Sequence, residues 1–180
     1  MTTQHLTLLI INVIGGAAVL GSYVLGFKNT PNAGDALWGG VPIWLRPVYT
    51  VSMVLSALGY FAFLYFILFR IAPLEAQIAN RFGFSFFYIV FLGILVPSTL
   101  WMPLTSAMIA NPGTALWIGV RTVLILVGLS SCVLVWALLS LQPRDSGFFF
   151  WLAVGGSAYF AFHTAVLDML LWPILFRLQS

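Results

Sequence analysis

Of the 180 residues, 62% are apolar and only 6% charged, with a mean hydropathy of +1.07, which excludes a soluble globule, whose surface calls for about 25% charged residues. So few charges suit the ends of membrane helices, and at about 20 residues per span the length accommodates five. The net charge of +3 rests on seven scattered basic residues, excluding a nucleic-acid face, and the single cysteine, Cys132, excludes an intrachain disulfide or a multi-cysteine metal site and is expected to be a small core residue.

The expected fold is all-α, an integral membrane bundle of five transmembrane helices forming one domain over residues 1–180. No Lys or Arg precedes the first apolar run, unlike the basic leader of a cleavable signal, so span one, about residues 6–27, is read as a retained helix. Its small residues Gly15, Gly16, Ala17, Ala18, Gly21 and Ser22 would let a neighbouring helix approach closely. The first loop, residues 28–47, is the most polar stretch. Pro31, Asn32, Gly34, Asp35, Gly39, Gly40, Pro42 and Pro47 break regular structure there. Because the loop also carries Trp38 and Trp44, it is expected to fold back onto the bundle or lie at the interface.

Span two covers about residues 48–70, with Pro47 suited to its first turn, and a short polar connection follows. Span three, about 84–108, contains Pro97 and Pro103, where a kink and freed carbonyls are expected. Asn111, Pro112 and Gly113 form a turn before span four, about 114–141. A second turn, Gln142 to Gly147, precedes span five, about 148–176. Short connections predict that helices two to five are antiparallel neighbours. Arg70, Arg81 and Arg144 fall at one face and Lys28, Arg46 and Arg177 at the other, so the positive-inside rule assigns no orientation.

Ionisable groups at membrane depth are costly unless paired or wet. Arg121 in span four and Asp168 in span five both lie roughly 10–13 Å in from the same face at 1.5 Å per residue. They are expected to meet, either as a structural ion pair between the two helices or with Asp168 lining a ligand cavity and Arg121 holding its charge. His163 lies near the middle of span five. His5 is on the order of 20 Å away in depth, which excludes a two-histidine haem within one chain. His163 is expected to hydrogen-bond to a neighbouring helix, where Ser130 and Ser131 are at similar depth, or to line a pocket. There is no paired carboxylate, Cys–His arrangement, phosphate loop before a helix or HExxH motif. No conventional enzyme chemistry, metal or required cofactor is therefore expected. A usual transporter needs more spans, and a small proton-coupled half using His163 and Asp168 is a minor reading. An interfacial belt explains Phe148, Phe149, Phe150 and Trp151. Trp101, deep in span three between two prolines, better fits an aromatic-lined cavity for a flat apolar ligand beneath the first loop.

Three segments carry a resemblance. They are Pro42-Ile43-Trp44-Leu45-Arg46-Pro47-Val48-Tyr49-Thr50 entering span two, Trp101-Met102-Pro103-Leu104 in span three, and Leu167-Asp168 with Trp172 in span five after Tyr159-Phe160-Ala161-Phe162. With five helices and a long first loop, the chain resembles the translocator protein family, the tryptophan-rich sensory proteins (TspO), as a divergent member. The family usually has Trp at the place of Tyr49, Asn at Ser98 and Asp168, and Phe at Thr105 and Ser106. The resemblance implies a cavity, closed at one end by the first loop, that binds a tetrapyrrole such as protoporphyrin or haem, or a sterol. The matching positions are Trp44, Tyr49, Ser98, Trp101, Asp168 and Trp172, with Trp38 in the same loop. A charged Asp168 in place of the family's Asn would favour a cationic ligand group.

The leading expectation is thus a membrane ligand-binding or sensory protein of this type, in contact with membrane lipids and forming a homodimer or part of a larger complex. The alternative is an accessory structural subunit of a larger membrane complex.

Overall fold

The computed structural model describes residues 2–144 and 146–176. Asp145 of the expected turn and Arg177 of the basic tally lie outside the described residues. Five helices are long and apolar enough to cross a bilayer: α1 (Thr3–Asn29), α3 (Arg46–Phe69), α4 (Phe86–Ala110), α5 (Thr114–Leu139) and a last helix, Phe148–Leu175. They make the chain a multi-pass integral membrane protein. Their ends lie within three residues of the expected spans. The last helix is composite: α6 (Phe148–Ala161) runs into a π-helical stretch, Phe162–Leu171, and ends as α7 (Trp172–Leu175). A single helical turn, α2 (Ala33–Ala36), forms within the first loop.

Local chemistry explains the boundaries. Thr2 caps α1, its hydroxyl oxygen accepting from the His5 amide at 3.4 Å. Pro47 stands in the first turn of α3, where a missing N–H costs no helical bond. α4 is continuous through Pro97 and Pro103, with the Ser98 and Thr99 hydroxyls donating to the Ile94 and Leu95 carbonyls at 2.7 and 2.9 Å.

α4 packs against α1 and α5, α5 against the last helix, and the last helix against α3. The second membrane helix thus lies beside the fifth, and the expected pairing of helices two and three is replaced by ring contacts across the centre. Phe91 of α4 lies 6.1 Å from Phe63 and 5.9 Å from Tyr60 of α3. The connection between these helices is no tight turn but a hairpin of β1 (Gln77–Ile78) and β2 (Phe82–Gly83), long enough to separate them. Ala79 and Asn80 at its tip have positive φ, and the Arg81 amide donates to the Ile78 carbonyl at 3.1 Å, as in a hairpin turn. β3 (Leu141–Gln142), from the loop after α5, adds to β1 and gives the order β2-β1-β3. The small sheet therefore ties two loops together at the end opposite the first loop.

Fully buried Phe63, Phe66, Phe87, Phe91 and Phe150 fill the half of the interior nearer the sheet. A polar link joins α1 to α3 there: the Tyr60 hydroxyl donates to Asn12 Oδ1 at 2.5 Å, and Asn12 Nδ2 donates to the Leu8 carbonyl at 2.8 Å, so the buried Asn12 amide is satisfied. Ile14, Leu20, Val24, Leu58 and Ile89 are exposed on the outer faces of the helices, a surface suited to lipid. Cys132 is exposed there too, not in the core; it follows fully buried Ser131, and one helical step of about 100° carries it to the outside.

Small residues set the helix spacing. Gly15 and Gly26 of α1 face Leu95 and Met102 of α4, whereas Gly16 and Gly21 face open space. At the α3–α6 crossing two glycines meet, and a Cβ on Gly156 would stand 2.8 Å from the Gly59 carbonyl oxygen. Gly156→Val should therefore push these helices apart and cost about 1–3 kcal/mol. The unfolding midpoint in detergent should fall, while Gly155→Val, which meets nothing, should leave it unchanged.

Candidate functional site: an aromatic chamber beneath the first loop

The first loop folds back onto the bundle and roofs one end of it. The Thr30 hydroxyl donates to Ser106 Oγ at the end of α4, at 2.8 Å. Ala33 and Leu37 are buried against Met102, with Tyr23, Trp101 and Ile109 packed around them. The other side of the loop is held by Arg46, whose Nη1 reaches Asp35 Oδ1 at 2.7 Å and whose guanidinium lies 5.7 Å from the centre of the Trp38 ring.

Below this roof, rings from the loop itself and from all five membrane helices meet. Trp38 meets Tyr49 edge to face at 5.9 Å. Trp172 meets Trp101 at 5.8 Å, Trp117 at 6.3 Å and Phe176 at 4.4 Å. Tyr23 meets Trp101 at 5.7 Å. The Trp172 indole also donates to the Leu37 carbonyl at 3.2 Å, fastening the roof to the last helix. The Trp101 indole nitrogen is buried and, among the described residues, has no hydrogen-bond partner. An unspent donor of this kind is uncommon in a folded interior and costly to maintain.

A polar wall adjoins these rings. His163 Nδ1 is 2.9 Å from Ser52 Oγ, and His163 Nε2 is 3.5 Å from Asp168 Oδ2. The Tyr159 hydroxyl donates to Ser52 at 3.3 Å, and the Tyr49 hydroxyl donates to the Leu167 carbonyl at 2.9 Å. With the imidazole proton on Nε2, a directed chain of hydrogen bonds runs from Tyr159 through Ser52 to His163, whose Nε2 stands 3.5 Å from the Asp168 carboxyl. His163 is buried, and the Asp168 carboxyl stands beside it. Asp168 therefore faces the bundle interior, where its side chain keeps 33% of its surface accessible.

The π-helical stretch brings His163 and Asp168 together. They are five residues apart. In an α-helix that spacing separates two side chains by about 140° around the axis, but in a π-helix residues i and i+5 are bonded and stack on one face. The Trp172 amide bonds to the Leu167 carbonyl, five residues back. Pro173, which has no N–H for the next α-helical bond, stands just beyond.

Several expectations are corrected by this geometry. Asp168 meets His163, not Arg121, whose guanidinium lies 6.0 Å from the centre of the Trp117 ring. Among the described residues, the Arg121–Asp168 ion pair does not form. His163 bonds to a neighbouring helix, but to Ser52 of α3 rather than to Ser130 or Ser131; the Ser131 hydroxyl donates to Val127 within its own helix. Trp44 is 73% exposed and stands outside the chamber. Ser98 donates within α4. Trp38, Tyr49, Trp101, His163, Asp168 and Trp172 are brought together, joined by Ser52, Tyr23, Trp117 and Phe176, which sequence reasoning passed over. Tyr49, Ser52 and Ser56, at i, i+3 and i+7, form a buried polar stripe on an otherwise apolar α3 that could have revealed Ser52. No group of three or more His, Cys, Asp or Glu placed to hold a metal occurs among the described residues. Compared with models of protein families, with curated proteins and with solved structures, the chain matches none.

Proposed function

We propose that this protein is a membrane ligand-binding or sensory protein of the translocator protein type, taking a flat, largely apolar ligand, a tetrapyrrole or a sterol-like molecule, beneath the first loop. The observation that carries this reading is the closed cluster of rings beneath the first loop. Five aromatic side chains, Trp38, Tyr49, Trp101, Trp117 and Trp172, converge under a folded roof beside an interior-facing carboxyl. Large ring faces suit stacking on a planar ligand, and an apolar site with a few convergent polar groups is the usual form of a small-molecule site. The rings now contact one another, so a ligand would part them by lifting the roof. The roof's Asp35–Arg46 pair is partly solvent-exposed, and such pairs contribute about 0–1 kcal/mol.

Protoporphyrin IX titrated into the purified protein should quench tryptophan fluorescence saturably, at one molecule per chain. A sterol that shares the chamber should compete with it. Absence of saturable quenching by any tetrapyrrole, together with absence of sterol binding, would overturn the reading.

A further inference from the structure

At the end of the bundle opposite the first loop, a cavity of about 280 Å³ lies between the end of α3, the β1–β3 pairing and the segment leading to α6. Its walls combine apolar Phe66, Ile71 and Leu141 with charged Arg70, Glu75 and Arg144. Among the described residues neither guanidinium forms an ion pair. Each is instead placed by an aromatic ring, Arg70 over Phe149 at 4.2 Å and Arg144 over Phe150 at 5.7 Å. Arg144 also donates to the Leu139 carbonyl. A guanidinium has five N–H donors, so both retain donors for an anion. Exposed Phe148 and Trp151 begin α6 at this same end, as aromatic residues do at the headgroup level of a bilayer.

Charge decides which anion. Among the described residues of the lining, two guanidiniums and one carboxylate leave a single positive charge. A phosphodiester carries one negative charge and neutralises it. A phosphomonoester carries about −1.5 to −2 and would oppose Glu75. Paired arginines match phosphate oxygens better than point charges do, and the apolar floor suits the glycerol end of acyl chains. We propose that this cavity binds the phosphodiester of an anionic lipid headgroup, with Arg70 and Arg144 donating to its oxygens. The site is separate from the aromatic chamber and independent of its ligand.

Native mass spectrometry of the full chain released from detergent can test this with three separate probes: phosphatidylglycerol, diacylglycerol with the same chains, and inorganic phosphate. One phosphatidylglycerol should be retained saturably, and neither other probe should displace it. In Arg70→Gln/Arg144→Gln, retention should weaken about tenfold or more, the loss expected for charge-assisted hydrogen bonds, while the helical content stays that of the wild type. Should that double variant fail to fold, each single variant should still show part of the loss. Glu75→Gln should raise retention of phosphatidate, a monoester, relative to phosphatidylglycerol. Equal retention by wild type and the arginine variants, displacement by inorganic phosphate, or indifference to Glu75→Gln would overturn the proposal.

Discussion

Trp172→Ala should be the most destabilising single change at the candidate site, costing about 3–5 kcal/mol as buried tryptophan truncations do. Trp172 is 5% exposed and its ring contacts Trp101, Trp117 and Phe176. Its indole N–H is also the bond between the last helix and the roof at Leu37. Truncation would empty the centre of the chamber and leave the Leu37 carbonyl unpaired. The unfolding midpoint in detergent should fall, and amide exchange over residues 33–41 should accelerate. Trp172→Phe separates the two contributions. It restores ring contacts but not the donor, so the midpoint should largely recover while exchange in the roof stays fast. Slow roof exchange in Trp172→Ala would show that Thr30–Ser106 and Asp35–Arg46 suffice to hold the loop.

Asp168→Asn should leave the fold intact and change which ligands are accepted. The carboxyl faces the interior beside His163 at 3.5 Å, and Arg121 does not neutralise it. A porphyrin bearing a cationic side arm should lose about ten- to a hundredfold in affinity, the equivalent of one hydrogen bond to a charged group. Protoporphyrin IX, whose side arms are anionic, should bind no more weakly than before. Arg121→Gln should change neither preference. A shift in preference on Arg121→Gln, with none on Asp168→Asn, would place the site's charge on the wrong helix.

The five spans were legible because each is a long apolar run closed by Pro, Gly, Asn or charge, and those signals act locally. The return of the first loop was legible as well, since Trp38 and Trp44 in a Pro/Gly-rich stretch have reason to leave water. Which tryptophan turns inward was not legible: Trp38 lies over Arg46 and against Tyr49, while Trp44, six residues on, faces outward. The polar wall was hidden for a geometric reason. Depth along the axis, at 1.5 Å per residue, puts Ser130, Ser131 and Arg121 of α5 level with His163 and Asp168 but does not say which neighbouring helix each one faces, and α-helical spacing sets the two about 140° apart. The π-helical stretch removes that offset and turns His163 toward Ser52 of α3. Helix order was hidden too, because a span pattern contains no information on which non-consecutive helices pack together, and Gly59 against Gly156 is a match visible only once α3 and α6 are side by side.

The proposal that the chamber takes a planar ligand is tested most directly by comparing two tryptophans that the sequence treats alike. Protoporphyrin IX binding would be measured for Trp44→Ala and Trp101→Ala beside the wild type. Trp44 is exposed outside the chamber and Trp101 lines it. The dissociation constant should be unchanged in Trp44→Ala and raised about tenfold in Trp101→Ala, roughly the value of one aromatic contact at the upper end of its range. Equal affinity in all three proteins, or a loss confined to Trp44→Ala, would contradict a binding site beneath the first loop.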